Sequence, residues 1–176
     1  MKHFLIIVDM QKDFVDGALG SSAAVAIVPR VCDRIHTHDG ALIVTYDTHP
    51  ENYMETNEGS HLPVPHCIKG TDGWQLDARV AQALVNREYT TIEKPTFGSI
   101  ALPALVRELS DGEPFDIELI GLCTDICVIS NALLLKAHFP EVEIYVDASA
   151  CAGVTPETHA AALSTMSCCQ IQIKNA

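Results

Sequence analysis

Short runs rich in β-branched and aliphatic residues alternate along this chain with longer segments of helical period, and that alternation constrains the fold more than any other feature. The runs at residues 3 to 9, 41 to 47, 88 to 93, 115 to 121, 142 to 147 and 169 to 173 predict six strands. Between them, residues 23 to 37, 75 to 86, 98 to 110, 127 to 138 and 156 to 167 carry apolar side chains three and four positions apart, which predicts five helical crossovers. A strand that feeds a helix and then another strand belongs to a parallel sheet covered on both faces. The predicted fold is therefore α/β, with three layers and a six-stranded, mainly parallel, Rossmann-like sheet. No repeat, low-complexity tract or linker divides residues 1–176, so a single domain is expected.

Three reactive side chains sit where an apolar run has just ended. Asp9 closes His3-Phe4-Leu5-Ile6-Ile7-Val8, Lys94 follows Tyr89-Thr90-Thr91-Ile92-Glu93, and Cys127 lies just past Phe115-Asp116-Ile117-Glu118-Leu119-Ile120-Gly121. In an open α/β sheet the carboxyl ends of the strands form the ligand crevice, where residues distant in sequence converge. An acid, a cation and a thiol in one cleft can generate a thiolate and direct it at a carbonyl carbon.

Composition narrows the partners. With 176 residues the chain can bury roughly 70% of its unfolded surface, so a closed site needs no disulfide or metal staple to support it. The formal net charge of −12 argues against nucleic acid and anionic membranes, which carry the same sign. A small-molecule partner is expected. Seven cysteines are scattered through apolar segments without a secreted framework or signal-type leader, which points to a reduced, cytoplasmic protein.

One stretch departs from the alternation. Residues 48 to 74 form a long polar insertion after the second strand, and its three prolines and Trp74 favour an ordered, functional loop. Residues two apart at an extended strand end face the same side, so Asp47 and His49 can address one ion, with His66 reaching it from further along the loop. Two imidazoles and a carboxylate suit zinc, manganese or iron and leave coordination positions open. Glu58 and His61 are candidate fourth ligands. The predicted metal-binding loop is thus about 47–74.

Pro95 biases Lys94 toward an extended conformation, which holds the ammonium at a strand end. Cys127 falls in Gly121-Leu122-Cys123-Thr124-Asp125-Ile126-Cys127-Val128. There Thr124 or Asp125 can cap a helix beginning at about Ile126. A thiol in a first helical turn is expected to have a lowered pKa.

These motifs together carry a resemblance. Asp9-Met10-Gln11-Lys12-Asp13-Phe14, Asp47-x-His49-Pro50, Pro65-His66-Cys67-Ile68-Lys69-Gly70-Thr71, Lys94-Pro95-Thr96-Phe97 and the segment 121–128 resemble, in order and along the whole chain, the isochorismatase-like cysteine hydrolases, and within them the nicotinamidases. The resemblance implies Asp9, Lys94 and Cys127 as a catalytic triad. It implies Asp47, His49 and His66, with Glu58 near the variable fourth position, as ligands of a divalent metal, zinc foremost and manganese or iron as alternatives. It further implies Phe14 as the aromatic that stacks on the substrate ring, the backbone amides of Cys123 and Cys127 as oxyanion donors, a cis peptide at Leu122-Cys123, and a homo-oligomer. The implied reaction is hydrolysis of nicotinamide to nicotinate and ammonia through a thioester, a step in nicotinamide salvage. Two departures stand out. Leu62-Pro63-Val64-Pro65 replaces the aromatic that usually precedes the second metal histidine, leaving Trp74 as a candidate for the opposite pocket wall, and Cys123 replaces a more usual alanine.

Other readings have distinct signatures. A related amidohydrolase acting on a carbamoyl or ureido substrate would use the same triad, and a metal- or metabolite-binding protein would use the thiol as a sensor without turnover. A receiver domain would need an acceptor aspartate ending its third strand, and a phosphate-binding loop would need a Gly-Lys-Ser/Thr ending after Gly70-Thr71-Asp72-Gly73; neither is present.

Overall fold

A computed structural model describes all 176 residues. The strands are β1 (Lys2–Val8), β2 (Ala41–Asp47), β3 (Tyr89–Lys94), β4 (Phe115–Leu122), β5 (Ile144–Ala152) and β6 (Gln172–Lys174). The helices are α1 (Lys12–Val15), α2 (Ser22–Thr37), α3 (Asn57–His61), α4 (Ala78–Ala83), α5 (Leu102–Ser110), α6 (Ile129–His138) and α7 (Pro156–Cys168). All six strands are parallel, in the order β3-β2-β1-β4-β5-β6. The chain winds outward from β1 through β2 to β3, then returns to lay β4 on the other side of β1. That reversal puts the switch point between β1 and β4.

Because β1 is central, Phe4 to Val8 are all buried, and successive side chains enter opposite layers. Leu5 and Ile7 pack with Val28, Val31 and Ile35 of α2 and Val80 of α4. Phe4, Ile6 and Val8 pack with Val106 of α5, Leu135 of α6 and Met166 of α7. Pairing of Val8 with Thr45 and Gly121, and of Asp47 with Lys94, brings the strand ends to one edge of the sheet. Gly121 makes this possible. It has φ +116°, and a Cβ there would lie 2.2 Å from the carbonyl oxygen of Val8.

Several boundaries differ from the sequence expectation. The last strand, expected at 169–173, is Gln172–Lys174, because α7 continues to Cys168 and the chain turns through Gln170 at φ +65°. Strand β5 runs on to Ala152, and its pairing with β4 shifts register between Leu119 and Gly121. Of the helix expected at 75–86, only Ala78–Ala83 forms. Asp77 starts it by accepting from Arg79 N at 2.9 Å, and its carboxylate also pairs with the Arg79 guanidinium at 2.8 and 2.9 Å.

Those hydrogen bonds hold Asp77 below the ordinary carboxylate range against the opposing effect of burial. A depressed carboxyl pKa stabilises the fold above the unfolded value and ceases to do so as pH falls through the folded one. Asp77→Ala is expected to cost about 1 kcal/mol near neutral pH. Thermal melts should show that the gap from wild type narrows below about pH 4.

Candidate active site and metal cluster

Asp9 is the first residue past β1 and adopts φ +48°. That backbone turn aims its side chain across the sheet edge, where the Thr45 hydroxyl donates to Oδ1 at 2.6 Å and Lys94 Nζ lies 2.6 Å from Oδ2. Lys94 is fully buried. Its ammonium also reaches Asp47 Oδ1 at 3.2 Å, the Thr96 carbonyl at 3.1 Å and Cys127 Sγ at 3.5 Å. The structure thus brings Asp9, Lys94 and Cys127 together in one buried group.

The electrostatics follow from burial and neighbours. Burial pushes the Asp9 carboxyl up, and Lys94 opposes that shift. For Lys94 burial works against the charge, yet Asp9, Cys127 and Asp47 outweigh it and hold the ammonium above the ordinary lysine value. The expected lowering of the Cys127 pKa is not found. Burial and the negative Asp9 push the thiol well above its usual value, with Lys94 only partly offsetting them. The local helix differs too: Thr124–Val128 form a π-helical turn with Cys123 as its uncapped leading residue, and α6 begins at Ile129. The Leu122-Cys123 peptide is cis. Burial also raises the Cys123 thiol to about 12.

Asn131, which carried no sequence signal beyond being a polar residue in an apolar helix, clamps this turn. Its amide donates to the carbonyls of Cys127 at 2.8 Å and Phe97 at 3.2 Å, and its oxygen accepts from Ser99 N at 2.9 Å. The segment after Lys94 is thereby tied to the turn that carries Cys127.

A second group of donors adjoins the first. Asp47, His49, Glu58 and His66 each offer a ligand atom, all within 4.8 Å of one another. Asp47 joins the two groups, with Oδ1 toward Lys94 and Oδ2 2.9 Å from His49 Nε2. Glu58 Oε1 lies 3.6 Å from His49 Nε2 and 3.7 Å from His66 Nε2. His66 Nδ1 is engaged with the Val64 carbonyl at 2.8 Å, which assigns its proton there and leaves Nε2 as a lone-pair donor. Tyr53, fully buried, packs its ring against both imidazoles. Two imidazole nitrogens and two carboxylates converging in this way fit a borderline divalent ion such as zinc, manganese or iron. His61 stands outside the cluster, bonded through Nδ1 to Asn57 O at 2.8 Å.

Without an ion, burial opposes ionisation of Asp47, but the hydrogen bond with His49, the neighbouring His66 ring and the charge of Lys94 hold its carboxyl well below the usual range.

A cavity of about 770 Å³ adjoins the donor cluster; the buried Asp9, Lys94, Cys127 and Phe14 do not line it, and His49, Glu58, Leu62, Pro95, Phe97 and Ile126 are among its lining residues. Trp74 is not among them. It packs on Tyr46 with ring centroids 5.2 Å apart and donates to Thr48 Oγ1 at 2.9 Å, while the apolar part of the cavity lining includes Phe97 and Ile126. Phe14 is buried with its ring 5.4 Å from that of His66.

The doubly wound parallel sheet, with these reactive groups gathered at its switch point, places the chain among Rossmann-like α/β proteins. Residues 3–175 match the isochorismatase domain, and the chain belongs to that family. It is 32% identical over 175 residues to an uncharacterized isochorismatase family protein, PncA, of Bacillus subtilis (strain 168), covering 93% of each chain. It is 26% identical to the nicotinamidase/pyrazinamidase of Mycobacterium tuberculosis (strain ATCC 25618 / H37Rv), with 96% of each chain covered. The crystal structure of a pyrazinamidase of Pyrococcus horikoshii in complex with zinc superposes with a TM-score of 0.82 at 27% identity, covering 98% of each chain.

Proposed function

We propose that this protein is a cysteine-dependent amidohydrolase that converts nicotinamide and water to nicotinate and ammonia. The observation that carries the proposal is the buried thiol of Cys127, 3.5 Å from an ammonium that is itself 2.6 Å from Asp9. Proton transfer from Cys127 to Asp9 moves one negative charge between two neighbours of Lys94 and creates no new buried charge. The elevated carboxyl pKa of Asp9 makes it a competent base for that step, and Lys94 stabilises the resulting thiolate.

The thiolate sulfur attacks the amide carbon, and the C=O electron pair moves to oxygen. Backbone amides of Cys123 and Cys127 are assigned to that oxyanion, a role worth about 2.7–4 kcal/mol per donor in a measured case. Asp9 returns its proton to the departing nitrogen as the C–N bond breaks, leaving a thioester and ammonia. Water then attacks the thioester, Asp9 takes the water's proton, and the released thiolate recovers it as the acid product leaves.

Asp47, His49, Glu58 and His66 would hold a divalent ion, with zinc supported by the donor set and by the zinc complex of the Pyrococcus relative. When bound, such an ion supplies a Lewis-acidic anchor that orients a substrate through a ring nitrogen or a coordinated water. Phe97 faces the cavity, and Phe14 backs the cluster through His66. No helix is long and apolar enough to cross a membrane.

The test is ammonia release from nicotinamide, pyrazinamide and a set of carbamoyl and ureido compounds. Release from nicotinamide that falls on chelation and returns with zinc is the expected result. Leu62 lines the cavity from the segment where the resemblance expects an aromatic wall, which favours a second reading, in which a carbamoyl or ureido compound without a ring is the substrate. Turnover confined to the carbamoyl set would establish that reading and overturn the first.

A further inference from the structure

Between Asp9 and the first long helix, α2, two residues, Gln11 and Asp13, each bond to the main chain of one arm of the donor cluster. Gln11 is fully buried. Its side-chain oxygen accepts from Asp47 N at 2.8 Å, and its side-chain nitrogen donates to Asp47 O and to Trp74 O, each at 2.9 Å. The amide group therefore pairs with the end of β2 as a neighbouring strand would, and both of its donor hydrogens are engaged. A buried Gln with this pairing is costly to replace by an apolar residue, because three main-chain groups lose their partner.

Asp13 does the corresponding work on the other arm. Its Oδ2 accepts from Cys67 N at 2.8 Å, the amide immediately after His66, and Cys67 itself adopts φ +45°. The Cys67 carbonyl in turn accepts from His49 N at 3.0 Å, and Lys69 N donates to His49 O at 2.9 Å. One carboxylate thus fixes the loop that sets both imidazoles. Neither Gln11 nor Asp13 belongs to the donor cluster, and both act on the main chain that carries it.

We infer that Gln11 and Asp13 are positioning residues that assemble Asp47, His49 and His66 into a metal-ready arrangement before any ion arrives. The inference rests on the metal reading proposed above. Groups that orient ligands in this way typically govern metal affinity by about 10- to 100-fold.

The experiment is titration of the metal-free full chain with zinc alone and cobalt alone, in wild type, Gln11→Met, Asp13→Ala and Asp13→Asn, with circular dichroism on each apo variant. Gln11→Met and Asp13→Ala are expected to lose about 10- to 100-fold in affinity and to alter the visible cobalt spectrum. Asp13→Asn, which keeps an acceptor for Cys67 N, is expected to restore most of the affinity. Folded Gln11→Met and Asp13→Ala variants that bind both ions within about twofold of wild type, with the cobalt spectrum unchanged, would overturn the inference, since the usual effect is far larger. If Gln11→Met fails to fold, the contrast between Asp13→Ala and Asp13→Asn decides the same question. A wild-type chain that binds neither ion would instead remove the metal reading itself, an outcome visible before any variant is compared.

Discussion

Replacing Cys127 with alanine is expected to abolish amide hydrolysis while leaving the fold in place. The expected loss is at least about 10⁴-fold in kcat, the scale seen when one member of an interdependent nucleophilic unit is removed. The side chain is 4% exposed, and after its removal Asp9 and Asp47 still partner the Lys94 ammonium at 2.6 and 3.2 Å, so the substitution leaves only a small void. Circular dichroism should match wild type. Cys127→Ser is expected to be nearly as inactive, because a hydroxyl is a far weaker acid than a thiol and Asp9 cannot generate the alkoxide. Ammonia release by either variant at the wild-type rate would sink the thioester scheme. Thiol labelling of the wild type at Cys127 without any ammonia release would favour a sensor role for the cysteine.

Lys94→Met carries the second large effect, on stability and activity together. Lys94 is a fully buried ammonium placed 2.6 Å from Asp9 and 3.2 Å from Asp47. An apolar replacement of similar length leaves two carboxylates facing each other without their cation. Removing one partner of a buried ionic group typically costs about 3–5 kcal/mol. The pH dependence has a definite sign. Asp9 already has a raised pKa, and loss of Lys94 raises it further, so the folded variant binds a proton that the unfolded chain releases. Stability of the variant therefore falls as pH rises through the Asp9 value. Urea unfolding should give a larger deficit at pH 8 than near pH 5. Activity should be lost throughout, because a protonated Asp9 accepts no proton and no cation supports the thiolate. A deficit that grows toward acid pH would contradict the assignment of Asp9 as the orphaned group.

Part of this site was visible in the chain itself. Asp9, Asp47, Lys94 and Cys127 each follow an apolar run, and a parallel sheet sends the ends of such runs to one edge whatever the order of its strands. Glu58 and His61 could not be separated on that basis. They sit three residues apart on the same short helix, and only the packing of α3 against the Tyr53 segment turns Glu58 inward and leaves His61 bonded to its own helix. Trp74 had the chemistry of a pocket wall, but Tyr46 and Thr48 claim it. The Cys127 thiol was expected to be acidic from its place near a helix start. Complete burial beside a carboxylate reverses that shift, and burial is a property of the assembled layers.

What the sequence determined by itself was periodicity and chemistry: which segments alternate, which reactive side chains end them, and which motifs match a known family. Those are local quantities, set by residue type and spacing. Tertiary structure alone decided the partnerships. Gln11 reaches Asp47 across 36 positions, Asp13 reaches Cys67 across 54, and Asn131 reaches Phe97 across 34. Each is a hydrogen bond between a side chain and a main-chain group, and every residue presents much the same main-chain groups. Such contacts leave no mark in local spacing, and the fold specifies them by bringing those segments together.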